Sequence, residues 1–175
     1  MQLKSIWPVL MTLALTLGAM GCNDEVNPSL EQRAREERAF HAFKDSSDYT
    51  RLTVPGLYGD NYVYAKWLKK GYGERKAKLT DNVYIRYTGY YLTTWTGGRQ
   101  QGIFETNADQ EILSPMSING TINGWMIALQ NMVEGDEIGV AIPWYLGYGA
   151  AGKGHTIAPY TSLYFTINLE QIINQ

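Results

Sequence analysis

The sequence predicts an α+β fold in which an antiparallel sheet wraps over one short helix, and three observations lead there. Alternating apolar and polar residues recur at 62–69, 83–88, 138–142 and 163–170, with glycine- or proline-bearing turns between most of them. One later stretch, Ile122 to Met132, switches to helical spacing, with Trp125, Leu129 and Met132 recurring at intervals of four and three. That lone helix cannot supply the repeated crossovers of a parallel sheet, so strands joined mostly by short turns pair antiparallel.

Taken in order, the first 21 residues stand outside the fold. Lys4 is their only charge, Ile6 to Met20 is mostly apolar but short for a membrane span, and small residues precede Cys22, which is the pattern of a secretory signal. Ala19-Met20-Gly21-Cys22 resembles a bacterial lipobox, in which the cysteine is lipidated and begins the mature protein. Cys22 is the only cysteine, so no internal disulfide can form even in an oxidising compartment. Residues 22–57 read as a polar linker with a helix at about 29–44, opened by a Ser29/Gln32 capping box and rich in good helix formers. Its apolar residues, Leu30, Ala34, Phe40 and Phe43, are sparse, so it is expected to be a spacer and not a core element.

The domain proper is expected at 58–175. Tyr62 to Lys69 is a strand turned by Gly71-Tyr72-Gly73, and Val83, Ile85 and Tyr87 face the core of the next strand, opposite Tyr84, Arg86 and Thr88. Leu92 to Gly102 is a long connection before Ile103-Phe104-Glu105, and Pro115 to Asn119 is a short strand before the helix. Ile138, Val140 and Ile142 alternate until Pro143 stops the pairing, a glycine-rich loop runs to Pro159, and Leu163, Phe165, Ile167 and Leu169 give the last strand its inner face.

Length and charge narrow the function. At 175 residues the chain has room for one domain with appendages. Loss of the signal takes Lys4, leaving 14 of the 15 basic residues against 17 acidic ones, which argues against nucleic acid as a partner. The two histidines, His41 and His155, lie far apart with no second cysteine to join them, so no metal site is expected. Gly147, Gly149 and Gly152 satisfy a dinucleotide-binding spacing, but no helix follows to present its N-terminus to a phosphate, and the segment reads as a flap. No nucleophile and base pair stands out either.

Thr121-Ile122-Asn123-Gly124-Trp125, Pro143 to Gly149, and Leu163-Tyr164-Phe165, with Val83 to Gly89 upstream, resemble the signature of the FKBP-type peptidyl-prolyl cis/trans isomerases. The resemblance spans about residues 60 to 173 and implies a five-to-six-stranded FKBP-like half-barrel around one short helix, here preceded by the helical spacer. It also implies an aromatic cage, with Trp125 as floor, Tyr87, Phe104, Ile122 and Phe165 as walls, and Ile157 near the rim. The N–H of Ile122 and the hydroxyl of Tyr148 would hold substrate carbonyls, with Glu105, Thr121 and Met116 completing the site. The family has Asp where this chain has Glu105, Val where it has Thr121, and an aromatic in the region of Ser114 and Met116.

The implied function is a cofactor-free isomerase of the bacterial cell envelope, held to a membrane through lipidated Cys22 and acting on Xaa-Pro segments of exported proteins. The departures favour an alternative, a catalytically weak FKBP-like chaperone module that holds proline-containing or unfolded segments. A glycan-binding reading rests on 13 Tyr and 5 Trp, most of which strand faces already account for.

Overall fold

The longest runs of β-branched and aromatic residues become the two longest strands, as their fit to a pleated, half-buried surface requires. The computed structural model describes residues 27–56, 59–95 and 102–173; the expected signal, Cys22 and Gly97-Gly98 lie outside the described residues. The strands are β1 (Thr50–Leu52), β2 (Val63–Lys69), β3 (Asn82–Tyr91), β4 (Ile103–Thr106), β5 (Met116–Ser117), β6 (Glu137–Ile142) and β7 (Leu163–Ile173). They form one antiparallel sheet in the order β1-β2-β6-β7-β3-β4, with β5 pairing the far end of β3. The sheet has seven strands where five to six were expected, because β1 and β5 are only three and two residues long.

The pairing of β3 with β7 runs from Asn82↔Ile173 to Tyr91↔Leu163, interrupted by a bulge between Tyr84 and Ile85. Alternation then sorts the side chains. Val63, Ile85, Val140, Leu163, Phe165 and Ile167 face the concave side, where they pack on the helix α2 (Asn123–Leu129). This helix is shorter than the sequence spacing predicts. Ile122 is its extended N-cap (φ −66°, ψ 151°), and Asn131 and Met132 close onto Ala128 and Leu129 through tighter turns. Every residue from Gly124 to Leu129 is buried, because the sheet curls around the helix.

The convex side is covered too, and here the structure departs from expectation. The N-terminal helix α1 (Pro28–His41) forms where predicted, but its cap is Asn27, whose side chain accepts from the Ser29 N–H at 3.0 Å, and not Ser29 itself. Pro28 fits the position after the cap, since it has no N–H to leave unpaired. Nor is α1 a spacer. Phe40 is only 1% exposed and lies beside Tyr64 and Tyr62 at ring distances of 5.1 and 5.7 Å. Phe43, just past the helix, stacks on Tyr164 and meets Tyr49 edge-on.

Tyr64, Tyr90, Ala141 and Tyr164, the off-core members of their strands, thus form a second buried cluster with Phe40 and Leu92. Docking needs only one helix face to be apolar, so the sparse pattern of α1 suffices. The same cover explains β6, in which all five residues from Ile138 to Ile142 are buried although alternation alone predicts a half-buried strand.

If α1 is part of the folded body, Phe40→Ala should lower the unfolding free energy by about 3–5 kcal/mol in urea titrations of the full chain. A surface spacer would lose under about 0.5 kcal/mol.

Candidate active site

Two glycines make the concave side hollow where it would otherwise fill. Gly124 precedes Trp125 in α2, and a side chain there would collide with Ile142, so glycine lets the helix start press on β6 and brings the indole against the sheet. Gly89 of β3 sits opposite Phe165 of β7 and Glu105 of β4. A Cβ at this point would lie 2.6 Å from Phe104 Cζ and 2.7 Å from Phe165 Cε1. Its absence lets those rings meet edge-on at 5.6 Å and 83°.

The result is a cavity of about 460 Å³. Trp125, Tyr87 and Phe165 meet in it as mutually edge-on rings, with centroids 4.9 Å apart for Tyr87 and Trp125, 5.1 Å for Trp125 and Phe165, and 6.4 Å for Tyr87 and Phe165. Edge-to-face contact suits the ring quadrupoles and holds each ring at a fixed angle. Met116, Thr121, Ile122, Glu105 and Tyr148 line it too, so eight of the ten residues that the sequence pointed to meet there. Among the described residues the Ile122 N–H has no protein acceptor. The Trp125 indole N–H is likewise buried without a partner.

Phe104 and Ile157 do not line the cavity. Phe104 packs on Phe165 and on Tyr91, at 5.4 Å, and so supports a wall without fronting it. Ile157 is 1% exposed and belongs to the main core, where its carbonyl accepts from the Lys153 N–H at 2.8 Å. Two further residues, Gly120 and Lys153, line the cavity unanticipated. Lys153 follows Tyr148 by five residues in the glycine-rich segment that reads as a flap, and no periodicity marks it.

Polar groups form a chain across the mouth. The Tyr87 hydroxyl donates to Glu105 Oε1 at 2.8 Å, Lys153 Nζ stands 3.7 Å from Glu105 Oε2, and Lys153 donates to the Tyr148 hydroxyl at 3.3 Å. The lysine and glutamate side chains are 53% and 43% exposed, so solvent leaves their ion pair weak. Its geometric effect is larger: because Lys153 donates into the Tyr148 oxygen, the phenol proton stays free for a third group. Burial, then the bond to Glu105, pushes the Tyr87 phenol well above its ordinary range. Burial works against the Lys153 charge, but the bond to Tyr148 and the nearby Glu105 outweigh it and raise its pKa. At neutral pH the site therefore holds a protonated phenol at Tyr87 and a cation at Lys153. Among the described residues no group of three His, Cys, Asp or Glu side chains is placed to hold a metal ion.

The chain resembles known proteins in sequence and in fold. The model of the family described as FKBP-type peptidyl-prolyl cis-trans isomerase matches residues 73–170. The macrophage infectivity potentiator of Trypanosoma cruzi is 32% identical over 105 residues, 60% of this chain and 50% of that protein. The FKBP-type 22 kDa peptidyl-prolyl cis-trans isomerase of Escherichia coli (strain K12) is 30% identical over 154 residues, 79% of this chain and 71% of that one. This chain thus spans half the length of the first relative and 71% of the second. A 1.6 Å crystal structure of a peptidyl-prolyl cis-trans isomerase from Pseudomonas syringae pv. tomato superposes with a TM-score of 0.68 at 26% identity, covering 85% of this chain and 98% of that one.

The Tyr87 phenol makes this site testable by alkali. In the unfolded chain it loses its proton near the ordinary value of 10.0, whereas the folded chain keeps the proton to higher pH. Its stabilising contribution is therefore complete below about pH 10 and is lost as the pH rises through the folded value. Urea titrations of wild type and Tyr87→Phe should show the difference between them shrinking above about pH 10. A difference that grows instead would mean that burial and Glu105 do not protect the phenol.

Proposed function

The chain belongs to the FKBP-type peptidyl-prolyl cis-trans isomerase family, and on that premise we propose that its aromatic cavity rotates Xaa-Pro bonds in exported proteins of the bacterial cell envelope. The observation that carries this reading is the convergence of Tyr87, Trp125, Phe165 and Tyr148 on one cavity. The reaction asks little else. An Xaa-Pro amide prefers trans by only about 0.5–1 kcal/mol, yet turns over a barrier of roughly 18–20 kcal/mol that comes from partial double-bond character. No bond breaks, so a site needs only to favour the twisted amide over either planar form.

Twisting removes amide resonance and draws charge off the carbonyl oxygen, so the twisted amide loses less than the planar forms on leaving water. A proline ring seated on Trp125 between Tyr87 and Phe165 would be desolvated in this way. Each ~1.4 kcal/mol of difference is a factor of ten in rate. The N–H of Ile122 and the Tyr148 hydroxyl would hold peptide carbonyls. A donor of this kind grips planar and twisted forms alike, so Tyr148 contributes binding more than turnover.

The envelope location and lipid tether rest on the N-terminal pattern, namely one basic residue, an apolar run and Cys22. Among the described residues no helix is long and apolar enough to cross a membrane, so in this reading attachment falls to the lipid. Slow proline isomerisation limits folding outside the cytoplasm as it does within, which gives such an enzyme its use.

A protease-coupled assay on a short Xaa-Pro-Phe peptide, with the chain from Asn23 onward, tests the catalytic reading. Trp125→Ala should lower kcat/KM at least about tenfold, and Tyr148→Phe should raise KM roughly threefold to tenfold with kcat nearly unchanged. Binding of proline peptides with no rate above background would instead make the chain a holder of such segments, the role that Glu105, Thr121 and Met116 favour. Mass spectrometry of the mature protein should find its first residue to be lipidated Cys22; an unmodified thiol there would remove the anchor.

A further inference from the structure

The loop from Pro143 to Ser162 carries Tyr148 and Lys153 to the cavity, and it is internally bonded. The Gly149 N–H donates to the Trp144 carbonyl and the Tyr160 N–H to the Gly149 carbonyl, both at 3.0 Å, while the Lys153 N–H donates to the Ile157 carbonyl at 2.8 Å. A segment tied in this way keeps its shape, so the placing of Tyr148 depends on how the two roots of the loop are held. Both roots are held by α1, none of whose residues lines the cavity.

At the returning root, the Ser162 N–H donates to Glu36 Oε2 at 3.1 Å. The Ser162 hydroxyl donates to the Glu36 carbonyl at 3.4 Å and accepts from the Trp144 N–H at 3.1 Å, which joins the two roots. At the outgoing root, the Trp144 indole N–H donates to Glu37 Oε1 at 3.2 Å. That oxygen also accepts from Arg33 Nε at 2.8 Å, and the Arg33 guanidinium lies 5.2 Å from the Trp144 ring centre. Trp144 in turn meets Tyr160 edge-on at 5.0 Å. Tyr160 is the only non-glycine among the described residues with positive φ, at 59°. A bulky side chain in that region is strained and persists only where its surroundings hold it.

Glu36 is 2% exposed, and a carboxylate is buried that deeply only when its oxygens are bonded. Its second oxygen accepts from Thr93 Oγ1 at 3.4 Å, so one carboxylate ties the loop root to the turn that follows β3.

We propose that α1 is a positioning element of the isomerase site: Glu36 and Glu37 clamp the roots of the 143–162 loop and thereby set Tyr148 and Lys153 over Trp125. The kinetic consequence rests on the isomerase reading; the structural one does not.

The test uses the full chain with Trp144→Phe, which removes one N–H and keeps a ring, with Glu36→Ala, and with Glu36→Gln, which retains an oxygen for the Ser162 N–H. Trp144→Phe and Glu36→Ala should each lower kcat/KM about threefold to tenfold, chiefly through KM, and Glu36→Gln should recover most of the loss. Adding Tyr148→Phe should cost little more, because the phenol they misplace is already gone. Hydrogen exchange at Gly149, Lys153 and Tyr160 should quicken about tenfold while Ile167 is unchanged.

Unaltered exchange in the loop, or losses that add in full to those of Tyr148→Phe, would overturn the proposal. If Glu36→Ala does not fold, Trp144→Phe decides alone. If the wild-type chain does not isomerise, the functional reading falls and exchange in the loop still decides this one.

Discussion

The register of β3 against β7 is the constraint on which the remainder rests. It sets Gly89 opposite Phe165 and Tyr87 opposite Ile167, so one position without a side chain falls where two rings must pass. A slip of one residue between the two strands would put Tyr87 and Phe165 on opposite faces of the sheet. The sheet also carries α2 through the close approach of Gly124 to Ile142, and with it the indole that faces those rings. The cavity is therefore a consequence of strand pairing and two missing methyl positions, and no residue in it needs to be reactive.

The second organising fact is that the part of the sheet beneath α1 is buried on both faces. Trp95 stacks on Tyr164 at 3.8 Å, and the Tyr164 hydroxyl shares a 3.0 Å bond with that of Tyr49, which gives a buried phenol the partner it needs. Burial, and then the neighbouring Tyr62 phenol, raises the pKa of Tyr64 to about 12. Gly139 belongs to this arrangement, since a side chain there would collide with the Tyr164 hydroxyl. Concave and convex layers thus share β6 and β7 as a common wall, and the loop that serves the cavity springs from the end of that wall.

Much of this was legible in the sequence. Alternation located β2 and β6 to within a residue and the starts of β3 and β7 likewise, but stopped three residues short of the ends of β3 and β7, where Gly89-Tyr90-Tyr91 and Gln171-Ile172-Ile173 no longer alternate plainly. The joint spacing of Trp125, Tyr148 and Phe165 pointed to a cage, and those three do share one cavity. What was not legible follows from the chemistry of particular residues. Tyrosine is amphipathic, so the alternation does not reveal that Tyr64, Tyr90 and Tyr164 are the floor beneath α1. α1 itself docks through Phe40 and a buried carboxylate bonded to a backbone amide, and no apolar period records such a bond. Phe104 and Ile157 matched a family pattern, but a pattern of types does not say which ring fronts a cavity and which stands against its neighbour. Lys153 was missed because a single charge in a glycine-rich loop reads as solvated.

The family match starts at residue 73, whereas the packed body starts with α1 at Pro28. A truncation drawn at the match would remove α1, β1 and β2 together and turn β6 from an interior strand into an unpaired rim. That rim would offer free N–H and C=O groups beside the uncovered ring of Tyr164, a combination that invites chain-to-chain adhesion. The smallest fragment that keeps β6 paired on both edges is thus longer than the segment that the family model matches.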